Sequence, residues 1–324
     1  MRSLWHSSSK YSLVLSILLF LGLKVSLLGQ QQPQLQHEAV YVGFIQDDRR
    51  ELAKKGANDS SPAKNREVIA AFSREVAGWK TLDGLNQNVK WTVAFDGKNL
   101  GEVETKPSPA PEVTVNPNPI EASSTYAHAI HAIVTPANKV PTIGKPAYKF
   151  SGAFGGTVRR PLVVVSKPNF VDPDQWKPAT VPSELVQPVR IAFSQAYQHV
   201  RQCDAQGEPL KQDWDVPESE LAVVKTYASN KGSFLVETQL KQHRCVFDVN
   251  GKNLTSLEGI QWFFVGNDRA VRNLGSDWQL VDAGDYDADG KSEVVFFFGD
   301  SETGKEAYIL FYDDFRGKVT WAYR

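Results

Sequence analysis

The segment that most restricts the fold lies near the C-terminus. Between Trp278-Gln-Leu-Val281 and Glu293-Val-Val-Phe-Phe-Phe298 the chain reads Asp285-Tyr-Asp287-Ala-Asp289-Gly290-Lys-Ser. Both flanking runs are rich in aromatic and β-branched residues, and the second is too short for a helix, so they read as strands. The acidic stretch is therefore a strand-to-strand connection. Its carboxylates fall at loop positions 1, 3, 5 and 9 (Asp285, Asp287, Asp289, Glu293), with Gly290 at 6 and the backbone carbonyl of Lys291 at 7. A hard cation such as Ca2+ needs this pattern of oxygens from a short loop.

An EF-hand shares the first half of the pattern but places a bidentate Glu at position 12, where this chain has Phe296. It also lies between helices, so the expectation here is a metal-binding hairpin connection. Without the bidentate Glu the expected affinity is weak, about 10⁻⁴–10⁻³ M, as in extracellular modules. The competing reading is a solvated turn, since Asp289-Gly290 is a strong type I′ signal. A plain turn has no need of Asp285 and Asp287 beside it, because clustered like charges repel.

The pattern Asp285-x-Asp287-x-Asp289-Gly290-x-x-Glu293 followed by an apolar strand resembles the calcium loop of FG-GAP or VCBS-type repeats, over Trp278 to Gly299. The resemblance implies calcium and a β-propeller blade, and this chain carries one complete copy. As a whole the chain resembles secreted bacterial proteins with one such C-terminal repeat, which implies no activity.

The N-terminus gives the compartment. Arg2 and Lys10 precede an apolar stretch from Ser12 to Leu23, and Ser26 and Gly29 stand near a cleavage point. This reads as a secretory signal peptide over 1–29, with an uncleaved anchor as the alternative. Lys24 ends the apolar run early for a span. The expected location is secreted, periplasmic or cell-surface. A polar spacer follows over 30–39, then a single mostly β domain over 40–324. Two cysteines in an exported chain, Cys203 and Cys245, suggest one disulfide, with two buried thiols as the alternative. Net charge is −1 with no basic stripe, which argues against nucleic acid.

The spacing of Val68, Ile69, Phe72, Val76 and Trp79 predicts a helix over 65–79, with Asn65 as N-cap. A second helix is predicted over 189–203, with Pro188 in its first turn. Asp96-Gly97 predicts a hairpin whose Gly-Lys-Asn-Leu recurs at 251–254, and a looser hairpin closes the chain over 308–323. Residues 106–119 hold five prolines and read as an extended linker or wrapping loop. About twelve strands are expected, in an irregular β-propeller-like fold with two short helices, or alternatively a large β-sandwich. In the propeller reading the first strand, 40–45, completes the last blade beside 308–323.

Other polar groups carry less. His128 and His131 lack a third ligand or a Glu base, and on a strand they face opposite ways. Asn169, Asp172 and Asp174 read as a worn calcium loop or an Asp-Pro turn; Asp313-Asp314 reads as a solvated turn. No nucleophile elbow or phosphate loop occurs, so no catalytic residue is assigned. The leading expectation is an exported, calcium-stabilised binding or structural module that meets a protein or glycan at the cell surface. It meets a membrane only through an uncleaved leader. The second expectation is a secreted hydrolase on the same scaffold, acting on polysaccharide.

Overall fold

The computed structural model describes residues 39–47, 64–82, 85, 87–107, 133–143, 146, 160–197, 200–204, 206, 208–213, 217–241, 244–248, 253–257, 260–300 and 305–323. The predicted leader, the polar spacer before residue 39, the pair His128 and His131, and all of the proline-rich segment except its first two residues lie outside them.

The first sheet uses β1 (Val40–Asp47), β2 (Asn65–Glu75), β3 (Gly78–Thr81), β4 (Val89–Phe95), β5 (Lys98–Pro107), β6 (Ile133–Pro136) and β7 (Leu162–Val165). Next come β8 (Lys177–Pro178), the helix α1 (Ser183–Ala196), β9 (Val200–Cys203) and β10 (Pro209–Asp213). The chain continues with β11 (Leu221–Ala228), β12 (Phe234–Leu240), β13 (Arg244–Asp248), β14 (Asn253–Leu257), β15 (Gln261–Val265) and β16 (Val271–Ser276). It ends with β17 (Gln279–Gly284), β18 (Glu293–Asp300), β19 (Lys305–Tyr312) and β20 (Gly317–Tyr323). The fold is mostly β, with α1 the one α-helix among the described residues.

All pairings are antiparallel. The first sheet runs β1-β7-β4-β5-β6-β2-β3, and a further β1–β2 pairing brings it round on itself. Six strands thus curl about one apolar face that holds Val68, Trp91, Val93 and Val164. The Trp91 indole N–H donates to Thr105 Oγ1 at 2.7 Å, so its one polar atom is satisfied inside that face. The second sheet is β10-β9-β13-β14, the third β16-β15-β12-β11-β8, and the last the meander β17-β18-β19-β20.

Period-two alternation assigns each side chain to a layer. In the last sheet Val281, Val295, Phe297, Tyr308 and Leu310 face the outer side of the first sheet, against Val42, Phe44, Ile69 and Val163. Their neighbours Leu280, Val294, Phe296, Ile309 and Phe311 face the third sheet, against Tyr227, Leu235, Trp262 and Phe264. Leu185, Val189 and Phe193 of α1 cover the far side of the third sheet. The meander is therefore a middle layer, buried on both faces, and the packing is sandwich-like.

Three expectations change. The helix over 65–79 is instead β2, a turn and β3. Residues 67–73 are buried without a break, because β2 lies between two cores. A strand covered on both faces reads as a continuous apolar run, which matches a helical stripe by chance. Val76, assigned to that stripe, is 87% exposed in the β2–β3 turn. The second helix lies earlier, at 183–196, with Pro188 in its interior, and 200–203 is strand. Finally, β1 does not extend the last sheet. It pairs with β2 and β7, and Phe44 stacks flat on Tyr308 of β19 at 3.6 Å between centroids. The two segments meet face to face, not edge to edge.

Candidate metal centre

The β17–β18 connection folds as an acidic loop. Asp289 N–H donates to Asp285 Oδ1 (3.0 Å) and Asp287 Oδ1 (3.2 Å), Gly290 N–H to Asp285 Oδ2 (2.9 Å), and Lys291 N–H to Asp289 Oδ1 (2.8 Å). These bonds turn the carboxylates inward over their own backbone. Ala288 (φ 63°) and Gly290 (φ 85°) take the left-handed conformation that so tight a path needs, and Gly takes it without steric penalty. One oxygen from each of Asp285, Asp287 and Asp289 lies within 4.8 Å of the others. Two ligands across a calcium ion at 2.3–2.6 Å are up to about 5 Å apart, so the three fit one such ion. Among the described residues no other group of three potential ligands converges in this way.

The loop sits where two layers meet. Arg74, at the end of β2, donates Nε–H to Asp287 Oδ2 at 2.8 Å, and the Asp287 side chain is only 4% exposed. Tyr286 is buried in the core between the layers, stacked on Phe170 at 5.4 Å. Asp285 N–H donates to the Val171 carbonyl (2.8 Å), and Ser292 Oγ–H to Asp172 Oδ1 (2.5 Å). Both ends of the loop are thus sewn to segment 170–172.

The charge balance is poor without a cation. Burial, ahead of any other cause, pushes Asp285 and Asp287 above the ordinary aspartate range, and neighbouring carboxylates push the same way. Glu293 is 2% exposed and pushed up to about 9, by burial first and then by the charge of Asp287. Lys291 turns away, its ammonium paired with Asp313 at 3.1 Å. A divalent ion would offset this repulsion directly.

The sequence-predicted ligands thus divide. Asp285, Asp287 and Asp289 come together. Glu293 lies beneath them, but its Oε2 accepts from Tyr286 N–H at 2.8 Å, and it stands outside the converging trio. Lys291 donates its N–H to Asp289 and its ammonium to Asp313, and neither group is a metal ligand.

Asp172 behaves as a turn-former, accepting from Asp174 N–H (3.1 Å), Trp176 N–H (2.7 Å) and Ser292; Asp174 pairs with Lys231 at 2.5 Å. That occupancy favours the turn over a second calcium loop. Asp313 and Asp314, both at φ 51°, lie in the β19–β20 turn. Cys203 ends β9 and Cys245 is the second residue of β13, its neighbour in the second sheet.

Comparison with family models, curated proteins and solved structures gave no match.

Sequence reasoning missed two partners. Arg74 lies 213 positions from Asp287, so no local pattern links them. Arg160 is the other. Its guanidinium bonds Asp96 Oδ1, Asp282 Oδ1 (3.3 Å) and the Val281 carbonyl (2.5 Å), and lies 3.9 Å from the Phe95 ring centroid. Asp282 Oδ1 also accepts from Gly97 N–H at 3.1 Å. This buried cluster ties the β4–β5 turn of the first sheet to β17 of the last.

Proposed function

We propose that this protein is an exported, calcium-stabilised β module whose role is binding or structural, at the cell surface or in the periplasm. The observation that carries the reading is the aspartate trio, pre-folded by its own backbone donors at the joint between two layers. Calcium supplies two positive charges at that point. Asp285, Asp287 and Asp289 hold it, the Lys291 carbonyl adds an oxygen, and Glu293 acts directly or through water. Arg74 fixes one oxygen of Asp287, leaving Oδ1 turned toward the loop. The FG-GAP or VCBS resemblance supports the same assignment, and the apolar leader supports export.

The test is a thermal melt of the protein in EDTA, then in rising calcium. With Kd about 10⁻⁴ M, 10 mM calcium adds about 2.7 kcal/mol, a rise of roughly 5–10 °C in Tm. Asp287→Ala should abolish the rise. A wild-type melt indifferent to calcium, with no bound metal on elemental analysis, would sink the reading. So would an Asp287→Ala variant that responds like wild type.

A further inference from the structure

Strands β9 and β13 of the second sheet each carry one cysteine, at the end of β9 and near the start of β13. Strands β9 and β13 pair antiparallel in the register Gln202–Val246, Arg201–Phe247 and Val200–Asp248. The paired residues end at Gln202 and Val246; one further step along the same register would set Cys203 opposite Cys245. Directly opposed residues of an antiparallel pair have Cα atoms about 4.5 or 5.5 Å apart, depending on whether they share hydrogen bonds. Both separations lie within the roughly 4.4–6.8 Å that a disulfide spans. Extended by that step, the register would bring the only two cysteines of the chain, with 41 residues between them in sequence, to one cross-strand position.

The topology says what the link would do. After β9 and β10 the chain leaves the second sheet and builds β11 and β12 in the third. It then returns as β13, beside β9. Cys203 precedes the excursion and Cys245 follows it. A bond between them would clamp the two places where the chain crosses between sheets. β9 and β13 are only four and five residues long, so few ladder bonds hold this neck.

We propose that Cys203 and Cys245 form a cross-strand disulfide that closes the excursion through β11 and β12. That the link is made in the cell rests on the export reading; that the residues are placed for it does not. The chemistry is exchange with an external disulfide. One cysteine thiolate attacks the oxidant's S–S bond, forming a mixed disulfide and releasing one thiol. The second cysteine then attacks the mixed disulfide, closing the protein S–S bond and releasing the other thiol. Two electrons pass to the oxidant, and both protons end on the released thiols.

The first arm of the test uses the folded, reduced protein and oxidised glutathione. Intact mass should fall by two hydrogens, and peptide mapping should join the Cys203 and Cys245 peptides within one chain. Stable glutathione adducts, disulfide dimers or unreacted thiols would overturn the placement. Reduction should lower Tm by roughly 5–15 °C, from the entropy of a closed loop of this length. A Cys203→Ser/Cys245→Ser variant should melt like the reduced protein with or without reductant. An equal response to reductant in that variant would also count against the bond. The second arm alkylates protein taken from the export compartment, denatured without reductant. No adducts are expected. Two adducts there, with closure intact in the first arm, would refute bonding in the cell and place the failure in the export reading.

Discussion

Asp282→Asn should remove a large pH dependence of stability. Asp282 is 1% exposed, and its Oδ2 has no hydrogen-bond partner among the described residues. Burial pushes its carboxyl up to about 7, with Arg160 pulling the other way and Asp96 adding to the rise. The unfolded value is about 3.9. The folded chain therefore holds this proton more tightly than the unfolded chain, so stability falls as pH rises. The contribution is complete below about pH 4 and is lost by about pH 7. At 1.36 kcal/mol per pH unit, the span is on the order of 4 kcal/mol, of which about 3 kcal/mol falls between pH 5 and pH 8.

Asparagine keeps an oxygen for Gly97 N–H and Arg160 but cannot ionise, and Arg160 retains Asp96 as its counter-charge. Urea unfolding of both proteins at pH 5, 6, 7 and 8, at constant calcium, measures the difference. Other titrating groups cancel in the comparison. The wild-type midpoint should drop relative to the variant by about 1–1.5 M across the series, for a slope near 2–3 kcal/mol per molar urea. Midpoints that run parallel with pH would refute the argument and show that Arg160 satisfies an ionised Asp282 fully.

Two further substitutions probe the layers. Gly43→Ala would place a Cβ 2.6 Å from the Ile69 carbonyl oxygen, where β2 bulges against β1 at Ala71, so backbone must move; a loss of about 2–3 kcal/mol in urea unfolding is expected. Lys225→Met strands buried Glu237, whose carboxyl burial already raises and whose ammonium partner lies at 2.9 Å. The loss should be about 3–5 kcal/mol at neutral pH, smaller in acid, and largely recovered in the double variant with Glu237→Leu.

Where the sequence could be read, the signal was local. Asp96 and Gly97 take the left-handed turn conformation (φ 53° and 68°) that an Asp-Gly hairpin demands. The aspartates at 285, 287 and 289 converge because alternate residues of one loop share a side. Residues 65–79 carry a helical stripe but form β2, a turn and β3, because burial of β2 on both faces erases alternation, the one local mark of a strand. Pro188 suggested a helix start, yet the helix begins five residues earlier, behind Pro182, and forgoes a ladder bond at Pro188. Arg74–Asp287 and Arg160–Asp282 join residues more than a hundred positions apart, and charge alone names no partner at that range.

The middle position of the β17–β20 meander bears on the order in which the protein can be made. These strands leave the ribosome after every other described strand, yet they supply the surface on which both neighbouring sheets close. Until residue 279 and beyond emerge, Phe44, Phe72 and Val163 on one side, and Tyr227, Trp262 and Phe264 on the other, have no cover. A nascent chain in that condition displays two sticky β faces together, the kind of intermediate that aggregates or recruits chaperones. Premature termination within the meander would leave both faces open permanently, so such truncations should yield inclusion bodies, not a smaller soluble fold.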